Sequence, residues 1–182
     1  EEVEHDIHGG ELSFDLWSKS RISHLNTFVA AQNTRRKSYY GSELDPDAYG
    51  RTHDLVVTAG AQYTHNFTRL MFMPAEFIAG IEYNHNYLND VTIGYDHRLS
   101  QRVNIYSGYL QNEWRNERWG FLIGSRIDKH SMINRPILSP RANIRFNPSE
   151  KLNLRLSYST GFRSPQAYDE DLHVDAVGGA LQ

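Results

Sequence analysis

The sequence contains no cysteine in its 182 residues, which excludes a disulfide framework and any thiolate metal centre. It also lacks a long hydrophobic run. Mean hydropathy is -0.62, and no apolar stretch approaches the ~20 residues that a membrane helix requires. Helical spanning is therefore excluded. A membrane β-barrel is not, because its lipid face is spread over alternate residues and leaves only a weak hydropathy signal. A basic excess is missing too: 19 Lys and Arg stand against 22 Asp and Glu, so charge gives no reason to expect a nucleic-acid partner. There is no Ser-His-Asp order, no Gly-rich phosphate loop and no HExxH pattern. Carboxylates occur near one another, but nothing orients them as acid and base, and the chain does not read as an enzyme. No cofactor is expected. The chain starts at Glu1 without a Met or an apolar signal region, and ends at Gln182 in a polar, Gly-containing stretch. Both ends look cut, which predicts a fragment.

What is present is alternation. The clearest case is residues 139–165, SPRANIRFNPSEKLNLRLSYSTGFRSP. Ala142, Ile144 and Phe146 alternate with Arg141, Asn143 and Arg145; Leu152, Leu154, Leu156 and Tyr158 alternate with Asn153, Arg155 and Ser157. A period of two over that length predicts two strands with unlike faces. Asn147, Pro148 and Ser149 between them have turn chemistry, since Pro fixes φ and Asn and Ser bond their local backbone. The same alternation predicts strands near 11–17, 22–34, 52–67, 75–88, 102–114 and 118–128, although the outward parity of 102–114 is ambiguous. Residues 1–10 show little periodicity. The result is an all-β antiparallel meander of about eight strands without a convincing helix.

Every second connection is short. Turns fall near Ser18, Thr68, Asn116 and Asn147, whereas loops near Arg35, Asn89, Lys129 and Gly161 are longer and richer in charged and aromatic residues. All short turns then lie at one end of the sheet, as in outer-membrane barrels with short periplasmic turns and long extracellular loops. The large residues of each strand are expected to face lipid. Arg126, Arg141, Arg145 and Arg155 fall on the opposite parity, beside Gly and Asn, with Glu82 and Asp128 available to balance them. Trp17, Phe67, Phe72, Trp114, Trp119 and Phe146 lie near the short turns, and Tyr39, Tyr40, Tyr87 and Tyr95 near the long loops, as two interfacial girdles would.

Residues 139–174 resemble the late barrel region of TonB-dependent outer-membrane receptors. In that family a strand opening Ser-Pro-Arg leads through a Pro-containing turn to a strand ending Gly-Phe-Arg-Ala-Pro. Here Ser139-Pro140-Arg141 and Gly161-Phe162-Arg163-Ser164-Pro165 match, with Ser164 in place of Ala. Leu110-Gln111-Asn112-Glu113-Trp114 resembles the family's strand ending in Asp/Asn-Glu-Trp, and residues 77–88, FIAGIEYNHNYL, resemble its AGxEY strand. The flavour is similar to receptors of the Bacteroides type. The resemblance implies a barrel of about twenty-two strands around an N-terminal plug, coupled to TonB. Residues 1–182 would then be a partial barrel segment lacking plug, TonB-contacting segment and remaining strands. It implies a bacterial outer-membrane location and import of a scarce nutrient such as an iron chelate, haem, cobalamin or a glycan.

Under that resemblance Arg126, Arg141, Arg145, Arg155, Glu82 and Asp128 are lumen-facing candidates for contact with the plug, through charge-assisted hydrogen bonds. Arg163, Tyr168, Asp169 and His173 are extracellular ligand-contact candidates. Haem receptors resemble this tail, with an axial His near the position of His173, but the haem-type Asn-Pro-Asp/Asn-Leu sequence does not follow. Glu43, Asp45 and Asp47 could offer oxygen ligands to calcium; without an EF-hand's Gly and distal Glu, a solvated acidic loop is the preferred reading, and no metal is expected. His53, His85, His97 and His130 read as exposed polar histidines.

Two other architectures fit the pattern: a self-contained eight-stranded barrel, as a membrane adhesin or lipocalin-like carrier, and a β-sandwich binding module. A closed small barrel pairs its first strand with its last. A barrel segment leaves two bare edges, through which it is expected to self-associate.

Overall fold

The computed structural model describes residues 2–39, 49–92 and 97–162. They form one antiparallel sheet in strict sequence order. The strands are β1 (Glu2–Trp17), β2 (Ser23–Tyr39), β3 (Tyr49–Leu70), β4 (Met73–Thr92), β5 (His97–Arg115), β6 (Trp119–His130), β7 (Ile137–Ser149) and β8 (Leu152–Ser159). The described residues contain no helix. β1 and β8 are the outermost strands of an open sheet. Neither a closed eight-stranded barrel nor two packed sheets is what these residues build.

Three expectations need correction. Residues 1–10 looked aperiodic, yet β1 begins at Glu2 and pairs with β2 throughout. The expected loops near Arg35 and Asn89 begin and end in strand: Arg35 to Tyr39 pair with Tyr49 to His53, and Asn89 to Thr92 pair with His97 to Ser100. Polar residues on both faces hide a strand from any test of alternation, and backbone pairing continues where no face is apolar. The difference between the two ends of the sheet therefore lies in strand length as well as loop length. The third correction is Trp17. Its parity is that of Asp15, on the face opposite Leu12, Phe14 and Leu16, and it stacks on His24 at 3.8 Å.

Register carries one outward parity across the whole sheet. Phe14, Thr27, Ala61, Ile81, Gly108, Ile127 and Leu138 form one transverse row. The row of Phe67, Ala75, Trp114, Phe121, Ile144 and Leu156 lies three rows nearer the short turns. From that row to the Ile81 row the outward parity holds no Asp, Glu, Lys or Arg. Its large residues are exposed: Ile81 is 67% and Leu156 70% accessible. Buried apolar residues among those described are only Ala75, Leu88 and Val103. A single-layered sheet with a broad uncharged apolar face has no core of its own, so the medium on that face must be apolar.

At the short-turn end the face closes in aromatic rings. Trp119 stacks on Phe146 at 4.2 Å and on Phe121 at 5.6 Å, and Phe72 stacks on Trp114 at 5.7 Å. Trp114 donates its indole N–H to the Leu70 carbonyl at 3.1 Å. This holds the Met71-Phe72 turn, where Met71 takes a φ of 61° that a side chain seldom adopts. The ring of amphipathic aromatics at a band edge is what an interfacial girdle requires.

Candidate functional site on the inner face

The opposite parity is polar, and its centre is a network across four strands. Arg126 on β6 donates from Nε to Asp128 Oδ1 at 2.8 Å, and from Nη2 to Glu82 Oε1 at 2.9 Å on β4. Nη2 also donates to Ser107 Oγ on β5 at 2.7 Å, and that hydroxyl donates to Asp128 Oδ1 at 2.6 Å. The guanidinium lies 5.9 Å from the centre of the Tyr109 ring, and the Tyr109 hydroxyl donates to Gln62 Oε1 on β3 at 2.8 Å. A bivalent guanidinium suits this task because its fixed fork satisfies two carboxylates from different strands at once.

Glycine makes the crossing possible. A Cβ on Gly80 would overlap the Tyr109 ring and approach the Ala61 carbonyl oxygen. Only hydrogen at that position lets Tyr109 lie across β4 and reach Gln62. Gly124 does the same for Arg141, whose Nε would sit 3.2 Å from a Cβ there. The ambiguous parity of β5 is settled by this face: Ser107, Tyr109 and Gln111 point inward, while Tyr106, Leu110 and Trp114 point outward.

The arginines divide into two groups. Arg126 is satisfied within the sheet by Glu82 and Asp128. Arg141, Arg145 and Arg155 form no ion pair among the described residues. Arg145 stands directly opposite Arg155 in register, an arrangement of like charges that is locally unfavourable. Arg145 donates to the Asn116 carbonyl at 3.1 Å and Arg155 to Asn153 Oδ1 at 2.9 Å, both neutral acceptors. Arg141 borders a groove with Glu82, Tyr109, Arg126, Ser139 and Thr160. The result is a cationic ladder on β7 and β8 beside a network on β3 to β6 in which the one arginine is paired with two carboxylates.

The alternation of charged and apolar residues was enough to bring together Arg126, Glu82 and Asp128. It could not reach Gln62, Ser107 and Tyr109. The available signal was Gly80, an inward glycine between strands rich in long side chains. Arg163, Tyr168, Asp169 and His173 lie outside the described residues, as do Glu43, Asp45 and Asp47. Among the described residues no group of three His, Asp or Glu is placed to hold a metal. His130, expected to be exposed, is fully buried on the inner parity, where its Nδ1 accepts from the Met132 amide at 3.1 Å and its ring meets the edge of Phe162. His53 and His85 are half-buried and bonded to Asn33 and Asn104.

Comparison with known proteins agrees with this geometry. No curated protein matches the chain. Among solved structures, the siderophore receptor PirA from Pseudomonas aeruginosa shares the fold, with a TM-score of 0.52 and 13% sequence identity over 89% of this chain. The chain spans 35% of that receptor. The family model described as "TonB dependent receptor-like, beta-barrel" matches residues 4–180. With nearly its whole length matched, an uncharged outward band and a polar inward face, the chain belongs to the TonB-dependent receptor β-barrel family.

Proposed function

We propose that this chain forms part of the wall of an energy-coupled importer of the bacterial outer membrane, with lipid on its outward face and a plug domain on its inward face. The observation that carries this reading is the contrast between the faces: an outward band free of charge, and an inward ladder of Arg141, Arg145 and Arg155 without carboxylate partners among the described residues. Guanidinium groups aimed into a lumen attract carboxylates and backbone carbonyls, and a plug filling the lumen would supply both. Arg126 has a different task in this reading. Held by Glu82 and Asp128, it braces the wall, and the surplus carboxylate charge of that triad is left for a plug cation. TonB would supply energy through the plug. The cargo would be a scarce nutrient of the iron-chelate, haem, cobalamin or glycan type, and the fold shared with a siderophore receptor keeps an iron chelate among them. Arg163, Tyr168, Asp169 and His173 would meet that cargo on the extracellular side. The reading involves no catalysis.

The experiment replaces Arg141 and Arg145 together by Ala in the intact receptor, in cells whose outer membrane otherwise excludes a large hydrophilic antibiotic. Loss of the plug's anchors is expected to raise antibiotic sensitivity and lower cargo uptake, at unchanged receptor abundance in the outer-membrane fraction. Unchanged sensitivity and uptake would remove the plug-docking role. Absence of the wild-type receptor from that fraction would sink the wall assignment itself.

A further inference from the structure

Beyond the apolar band the outward face changes character. A membrane strand needs about 9–11 residues, whereas β3 has 22 and β4 has 20, so the far halves of these strands stand outside the hydrocarbon. Just past the band the outward parity becomes amphipathic: the Tyr83 hydroxyl donates to Asn104 Oδ1 at 2.8 Å, and His85 Nδ1 lies 2.7 Å from the same oxygen. One row further on, Arg102 covers the Tyr87 ring at 5.5 Å. Then come Arg35, Lys37, Arg51 and Arg98, all exposed and all on the outward parity.

On β2 to β5 no Asp or Glu shares this parity among the described residues. Among the described residues the nearest carboxylates on this parity are on β1, where Glu4 pairs with Lys37 at 3.2 Å and Asp6 stands opposite Arg35 while bonding His8. Among the described residues Arg51, Arg98 and Arg102 have no carboxylate opposite them on this parity. Lys37 and Arg51 are direct cross-strand partners, and Val91 alone separates Arg51 from Arg98 in the same transverse row. Like charges so placed repel unless an anion lies between them. Measured along a strand tilted by about 45°, Arg102 lies about 28 Å above the Trp114 girdle and Arg98 about 37 Å. An apolar band of about 25 Å followed by headgroups puts Arg102 at phosphate level and the row of Arg51 and Arg98 about 9 Å further out, in the headgroup layer.

We propose that Arg51, Arg98 and Arg102, flanked by Arg35 and Lys37, bind the phosphate groups of an anionic lipid in the outer leaflet. The inference rests on the wall orientation proposed above, and it concerns the face that never meets plug or cargo. Continuity with the lipid-facing band selects a lipid as the source of phosphate, and five cations on one parity of β2, β3 and β5, opposed among the described residues only by carboxylates of β1, select an anionic one.

The test inserts the intact receptor into phosphatidylcholine vesicles containing either a phosphorylated glycolipid or the same glycolipid with its phosphates removed. Glycolipid retained after detergent extraction and purification is measured by mass spectrometry. Selective retention of the phosphorylated form is expected, falling roughly tenfold or more in the R51Q/R98Q/R102Q variant. The charge-keeping R51K/R98K/R102K variant should retain most of it, and R141Q, on the other face, should match the wild type. Equal retention of both glycolipids, or no loss in the Gln variant beside a folded Lys variant, would overturn the inference. So would displacement by inorganic phosphate at concentrations where the lipid is no better bound. A wild-type receptor that does not insert would overturn the wall orientation and this inference with it; insertion without lipid preference would overturn this inference alone.

Discussion

Tyr109 shows how a single residue ties a one-layered sheet together. Its ring lies across Gly80, its hydroxyl reaches Gln62 two strands away, and Arg126 packs against its face. Without a core, such inward contacts replace the packing that a second layer would provide. Gly80→Val in the intact receptor should lower stability by about 1–3 kcal/mol, because the new side chain must displace the ring and strand the Gln62 acceptor. Urea unfolding in detergent micelles, followed by the fraction migrating as the folded form on gels, measures this. An unchanged midpoint would show that Tyr109 is free to move aside. At this scale the charged partners were legible and the neutral ones were not. Arg126, Glu82 and Asp128 stand out on a face defined by charge, whereas Tyr109 sits on β5, where Val103, Ile105 and Tyr109 on one parity rival Tyr106, Leu110 and Trp114 on the other.

Among elements, the strands do two different jobs along their length. The short-turn halves alternate, with Phe28, Ile78 and Leu122 as inward apolar exceptions, and carry the uncharged outward band. The far ends of β2 to β5, residues 35–39 paired with 49–53 and 89–92 paired with 97–100, are mostly polar on both sides and continue as paired ribbon. This is why alternation alone ends the strands too early near Arg35 and Asn89 and not near Asn116: hydrophobic alternation reports the medium, and backbone pairing does not depend on it. A parity test follows. Ile81→Arg, at the centre of the outward band, should cost roughly 2–4 kcal/mol, and Asn84→Arg, on the inward parity of the same strand, much less. Folding yields of the two variants into lipid vesicles compare them directly. Equal yields would mean that the assigned faces are wrong.

For the molecule as a whole, the decisive property is that the sheet is open. Every residue of β1 and β8 is exposed, and neither strand has a partner on its outer side among the described residues. An open edge beside a wide apolar face is a template for strand addition. Residues 1–182 expressed alone and kept in water are therefore expected to self-associate, edge to edge, and to become smaller particles when detergent covers the apolar band. Light scattering with and without detergent reads this. A monodisperse monomer in water would require the sheet to close on itself by pairing β1 with β8.

Alternation in the sequence determined the class of fold, the order of its strands, the existence of two unlike faces and the side on which the arginines lie. Each of these depends only on a side chain's position relative to its immediate neighbours in the strand, a local property with a period of two. Tertiary structure decided what depends on register between strands. It decided that Arg126 is neutralised while Arg141, Arg145 and Arg155 are not, that Trp17 turns inward, and that His130 is buried. It also gathered Arg51, Arg98 and Arg102, far apart along the chain, onto one outward patch. Register brings together residues tens of positions apart through backbone hydrogen bonds that are the same for every side chain, and so it leaves little trace in the local pattern.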